Sequence, residues 1–157
     1  MAVAVRRVLG ARRPSIGYER ILIPLLEADA AVTATAVACR LAADRGAVLV
    51  AVAVVEVPRE LPLDADMTEE ETRCVELLRL ARAEADRYGV TLESRLIRGR
   101  HAGEEIVEEA RRSGAPLIVL QAHPLKRAGR RGSLFASSAA WVLEQAPCRV
   151  LVAAPRG

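Results

Sequence analysis

Ser137, two histidines and three cysteines are candidates for nucleophilic or metal chemistry in this chain, and their spacing supports neither. Ser137 has no His or Asp partner in sequence for a triad, and at the start of a helical run it reads as a cap. His101 and His123 fall in strand-to-helix loops, and two imidazoles without carboxylate or thiol neighbours fall short of a metal site. Cys39, Cys74 and Cys148 lie far apart and include no C-x-x-C pair. They read as small apolar core residues in a reducing compartment, not as disulfides or zinc ligands. Glu104, Glu105, Glu108 and Glu109, followed by Arg111 and Arg112, read as a solvated helix face with i,i+3 and i,i+4 pairing. The cluster with chemical reach is cationic: Lys126, Arg127, Arg130 and Arg131, interleaved with Gly129 and Gly132. Such a loop can wrap an anion at a helix start, where the dipole and free N–H groups help, with Ser133 and Ser137 as further contacts. The competing reading is a solvated loop held open by its own repulsion. No catalytic constellation emerges, and ATP hydrolysis is not expected.

The elements that must position these groups follow from composition and pattern. With 157 residues the chain has room for one domain and one well-filled core. Hydrophobic residues make up 52% but aromatics only 3%, so Ala, Val, Leu and Ile build that core. A parallel sheet buried on both faces by alanine-rich helices has this composition. No apolar run approaches the roughly 18 residues that span a bilayer, and Arg6 and Arg7 break the apolar start that a secretory signal needs. A cytoplasmic protein is expected. Residues 1–17 form a basic arm holding Arg6, Arg7, Arg12 and Arg13, ahead of a near-neutral domain at 18–155. The arm reads either as a solvated tail or as an attachment to an anionic surface.

Strands and helices alternate along that domain. Apolar runs predict strands at 20–25, 47–55, 90–97, 116–120 and 149–153. The first helix is expected to be capped by Asp29, to bury Val32, Ala36, Val37 and Leu41, and to stop near Gly46. A surface loop covers 58–67. Thr68 and Glu71 then have the spacing of a capping box, opening a helix to about Tyr88 with Leu77, Leu78, Ala81 and Ala85 inward. A third helix spans 103–113, and a fourth, with Trp141 as a packing residue, covers 137–145. Strands separated by helices give right-handed βαβ units in a parallel α/β sheet. Ligands of such sheets bind beyond the strands' carboxyl ends, where the winding reverses. That singles out the segments after the first and fourth strands.

ILIP at 21–24, LIVLQAH at 117–123 and SSAAWVLEQAPCRVLV at 137–152 resemble the universal stress protein family, over about residues 18–155. VPRELPLDAD, RGRHAGEEIVEEA at 98–110 and APCRVLVAAP are similar, more narrowly, to the soluble domain at the carboxyl end of some bacterial amino-acid permeases. On that likeness the basic arm is a juxtamembrane linker. The resemblance implies a five-stranded parallel sheet of order 3-2-1-4-5 with helices on both faces, a Rossmann-like, adenine-nucleotide α-hydrolase-like fold. It also implies homodimers and, in one branch, ATP at the ends of strands one and four.

Carried over residue by residue, the ATP site departs from that branch. The positions implied are Leu25, Leu26, Val54, Gln121, His123, Ala136 and Ser137. Where the branch has an Asp that reads adenine, this chain has Leu26, followed by Glu27 and Ala28 in place of Gly-Ser. Its G-x-x-G turn appears as Gln121-Ala122-His123-Pro124, and Pro124 has no N–H to offer a phosphate. Of the glycine-serine helix start, Ala136-Ser137 keeps only the serine. The usual site is therefore expected to be lost or rebuilt on the basic loop.

Three functions remain in view. One is a regulatory or interaction domain that dimerises and does no chemistry. Another is a nucleotide-binding switch that uses Lys126, Arg127, Arg130 and Arg131. The last is a binder of anionic membrane, or of a permease, through the arm. Nucleic acid is disfavoured because stacking aromatics are scarce and the domain is near neutral. The homodimer is expected through the last strand, Arg149, Val150, Leu151, Val152 and Ala153. With strand order 3-2-1-4-5 this apolar strand lies at an edge that another chain can pair.

Overall fold

Ile21, Leu22 and Ile23 expose no surface at all, so the strand that holds them is covered on both faces. The computed structural model describes residues 18–43, 45–121 and 137–154. Its strands are β1 (Arg20–Pro24), β2 (Val48–Glu56), β3 (Leu92–Gly99), β4 (Leu117–Gln121) and β5 (Arg149–Ala153). Its helices are α1 (Ala28–Ala42), α2 (Thr68–Tyr88), α3 (Ala102–Ser113) and α4 (Ser137–Gln145). All strand pairs are parallel and the order is 3-2-1-4-5, as the alternation and the resemblance imply. The strand bounds differ from the expected ones by two residues at most.

Because successive side chains of a strand point to opposite faces, β1 feeds two separate cores. Ile21 and Ile23 join Leu49, Ala51, Leu117 and Val119 beneath α1 and α2. Leu22 joins Val50, Val52, Ile118 and Leu120 beneath α3 and α4. Each fully buried Ile or Leu contributes about 1.5–3 kcal/mol, so the three residues of β1 alone anchor both layers.

The first helix buries a different face from the one expected. Ala31, Ala34, Ala38 and Ala42, with Cys39 and Thr35, meet the sheet, while Val32 is exposed and Val37 and Leu41 sit half-buried on the flanks. Small side chains let the helix axis approach the fully buried central strands closely, and that favours the alanine stripe over the bulkier one. Asp29 is not its cap either. Glu27 holds the N-cap position without a side-chain cap bond, and Asp29 lies in the first turn, where it suits the dipole. In α2 the expected inward residues Leu77, Ala81 and Ala85 are buried, and Leu78 is half-buried. Gly89 and Gly114 end α2 and α3 in the left-handed conformation, with φ of 66° and 64°.

The capping box at Thr68 does not form. Asp66 caps α2 instead, accepting the Thr68 N–H at 3.0 Å and also the Thr68 hydroxyl. Glu71, the expected reciprocal partner, pairs with Arg98 of β3. Arg98 also donates to Leu63 O at 2.9 Å and to Ala65 O, and Arg100 donates to Val57 O at 3.1 Å and Leu61 O at 2.8 Å. Two arginines at the end of β3 thus satisfy the carbonyls of the loop between β2 and α2.

Hydrogen bonds from the Thr68 hydroxyl and then from its N–H hold the Asp66 carboxyl below the usual carboxylate value. A depressed folded pKa contributes stability at neutral pH that is lost as pH falls through it. Asp66→Ala is expected to lower the urea midpoint, with Asp66→Asn restoring most of the loss. The difference between wild type and Asp66→Ala should shrink below about pH 4; an equal difference at pH 7 and pH 3 counts against the cap.

Candidate functional site

The winding reverses at β1, which pairs β2 on one side and β4 on the other. Beyond its end the backbone stays tied to the sheet, since Leu25 N–H donates to Val52 O at 2.8 Å. Leu25 is buried among the α1/α2 core, and Leu26 is half-buried against the α3/α4 core, so the two leucines diverge to opposite layers. Val54 of β2 packs beside Leu26. These three sequence-assigned positions come together in one cleft of about 160 Å3. Leu77 and Ile106 continue its apolar wall, Ser138 lies at its rim, and Glu27, Glu56 and Arg73 bring charge to it.

Glu56 is the residue that sequence reasoning missed. It follows the apolar run of β2, and its Oε1 accepts the Ala102 N–H at the start of α3 at 2.6 Å. His101 holds the N-cap position in extended backbone (φ −139°, ψ 117°) and makes no side-chain cap bond. A carboxylate from another strand thus takes the favourable end of the α3 dipole, where an anionic ligand would otherwise find a free N–H. The one signal in sequence is an acidic residue closing an otherwise apolar strand. His101 instead meets Arg59, whose Nη2 lies 3.2 Å from His101 Nε2. Guanidinium can only donate, so Nε2 accepts in this contact.

Gln121 ends β4 half-buried, its Oε1 enclosed without a partner among the described residues. Ser137 opens α4. His123, Lys126, Arg127, Arg130, Arg131, Ser133 and Ala136 lie outside the described residues, as do 1–17. Of the sequence-assigned site, the structure therefore brings together Leu25, Leu26 and Val54, with Gln121 at the neighbouring strand end.

The thiols are poor nucleophiles. Burial, with a smaller contribution from the nearby Glu84 carboxylate, pushes Cys39 up to about 11. Burial raises Cys74 and Cys148 as well, and Cys74 Sγ donates to Val54 O at 3.5 Å. A raised pKa leaves little thiolate at neutral pH. The acidic face of α3 is less uniform than expected. Glu109 is only 6% exposed, because Arg95 reaches across from β3 to 3.6 Å while Arg112 stands at 3.5 Å. Among the described residues no helix is long and apolar enough to cross a membrane.

The universal stress protein family model matches residues 17–154. Among solved structures, a universal stress protein family member from Burkholderia pseudomallei is 30% identical, with a TM-score of 0.66. The alignment covers 89% of this chain and 98% of that one. The universal stress protein of Archaeoglobus fulgidus in complex with dAMP is 21% identical, with a TM-score of 0.67, over 87% and 98% of the two chains. A family protein from Arabidopsis thaliana with AMP bound is 15% identical, with a TM-score of 0.64, over 88% and 92%. No curated protein matches.

Above the cleft, α3 and α4 cross where Gly103 meets Trp141. A Cβ on Gly103 would stand 2.8 Å from Trp141 Cβ and 3.0 Å from its ring carbons. The Trp141 Cβ is fixed by its helix, so relief requires the helices to part. Gly103→Ala is expected to destabilise by about 1–3 kcal/mol in urea unfolding followed by tryptophan emission. A stability change near zero would mean that this crossing is loosely packed.

Proposed function

Because the chain belongs to the universal stress protein family, we propose that it is a regulatory or interaction domain of that family. It is homodimeric, performs no catalysis, and does not hold ATP in the family's usual way. The observation that carries this reading is Glu56 on the Ala102 N–H, beside Leu26. A negative charge occupies the helix start next to the cleft, and an apolar side chain replaces the family's adenine-reading carboxylate.

A nucleotide switch is the second reading, favoured by the relatives named with dAMP and AMP and by Arg73 at the cleft. In it, Lys126, Arg127, Arg130 and Arg131 hold the phosphates. The arginines of 1–17 further suit attachment to an anionic membrane surface or to a permease on charge grounds.

Calorimetric titration separates the first two readings. The expected result is ATP and AMP affinity weaker than about 1 mM, with no nucleotide released on denaturing the purified protein. Micromolar binding that is lost when the four cations are neutralised would establish the switch. Micromolar binding that survives their loss would overturn both readings.

The dimer rests on an asymmetry between the sheet edges. β3 carries Glu93, Arg95 and Arg98, tied into ion pairs with Arg20 at 3.5 Å, within the strand at 2.8 Å and with Glu71. β5 carries Val150, Leu151 and Val152 with Arg149 only at its start, and Val152 is 38% exposed. An unblunted apolar edge favours pairing with a second copy about a two-fold axis. Leu151→Pro removes a donor from mid-strand and is expected to yield monomer by light scattering. Val152→Asp, on an exposed position, should do the same should the proline variant fail to fold. A folded variant of either kind that remains a dimer places the interface elsewhere.

A further inference from the structure

Trp141 is the chain's only tryptophan, and it keeps 42% of its surface exposed although α4 packs on α3. Gly103 beneath it permits this placement, since any side chain there would strike the indole. The indole and Gly103 wall an open hollow of about 270 Å3, bounded also by Glu56, His101, Glu104 and Ser138. Among the described residues no lysine or arginine lines it. Glu56 spends Oε1 on the Ala102 N–H, and Glu104 has no hydrogen-bond or ion-pair partner among the described residues.

An aromatic face and two carboxylates around one small hollow suit a particular ligand chemistry. The negative face of the ring quadrupole and the carboxylates both attract positive charge, and partial desolvation strengthens both. An anion would meet two like charges, and an uncharged apolar group would leave the carboxylates desolvated without compensation. We propose that this hollow binds a small organic cation with an ammonium or guanidinium head, seated between the Trp141 ring and Glu56 and Glu104. The site shares Glu56 and Ser138 with the cleft after β1 but selects the opposite charge. It goes beyond the family-level reading and does not depend on it.

Because Trp141 is the sole tryptophan, its emission reports occupancy in the full-length protein. Titration with tetramethylammonium or methylguanidinium chloride, at constant ionic strength, is expected to change that emission saturably, whereas sodium chloride leaves it flat. Glu104→Gln and Glu56→Gln should each weaken binding about threefold or more. The glutamine at 56 retains an oxygen for the Ala102 N–H, so the fold is kept. Glu108→Gln, on the same helix but outside the hollow, should bind as the wild type does. An absent or unsaturable change, an equal response to sodium, or a response untouched by both pocket substitutions overturns the proposal. So does a saturable response to AMP alone, which would assign the hollow to an anion.

Discussion

β1 is squeezed from four directions, by two neighbouring strands and two helical layers, and the rest of the molecule is arranged around that confinement. Its ladder groups are taken by β2 and β4, and its side chains divide between two cores. Where the confinement ends, at Pro24, the next two residues must still choose a layer each. Leu25 goes one way and Leu26 the other, and the opening they leave is the cleft. The location of a site in this fold is thus a by-product of packing, whereas its chemistry depends on which side chains follow the strand.

Charge at that end of the sheet is arranged internally. Glu56 answers the dipole of α3, Asp66 answers the first turn of α2, and Arg98 and Arg100 answer the carbonyls of the loop between β2 and α2. Glu56, Arg98 and Arg100 join segments distant in sequence, so together they brace the crest of the sheet where the loops alone would leave backbone groups to water. The same arrangement uses up donors that an anionic ligand would require, while the indole of Trp141 stays exposed and Glu104 beside it has no partner among the described residues.

Much of this architecture was legible in the sequence because it is local. Apolar runs bounded by turn residues marked the strands, and Gly89 and Gly114 marked helix ends through their freedom to take positive φ. The strand order came from the family resemblance, since spacing alone leaves it open. What sequence reading missed is non-local or depends on size. The α1 stripe was assigned to Val32 and Leu41 by hydrophobicity, but the sheet selected the smaller Ala31, Ala34 and Ala38. Thr68 and Glu71 had the spacing of a capping box, yet Asp66 lay nearer and Arg98 drew Glu71 away across the fold. Glu56 could not be read as a cap because its partner, Ala102, stands on the far side of an intervening helix and strand.

The unequal edges of the sheet govern what happens when many copies meet at high concentration. Indefinite growth of strand upon strand needs two adhesive margins per molecule, one to join and one to be joined. Here β5 is apolar past Arg149, while β3 sets paired charges beside its exposed Leu96, and an incoming strand would have to strip those charges of water. In the proposed pair, addition at β5 leaves the charge-bearing β3 edges outermost among the described strands. A pair joined in that way carries charge at both outer margins, and further strand addition there would meet a desolvation cost that the valine-rich composition alone would not lead one to expect.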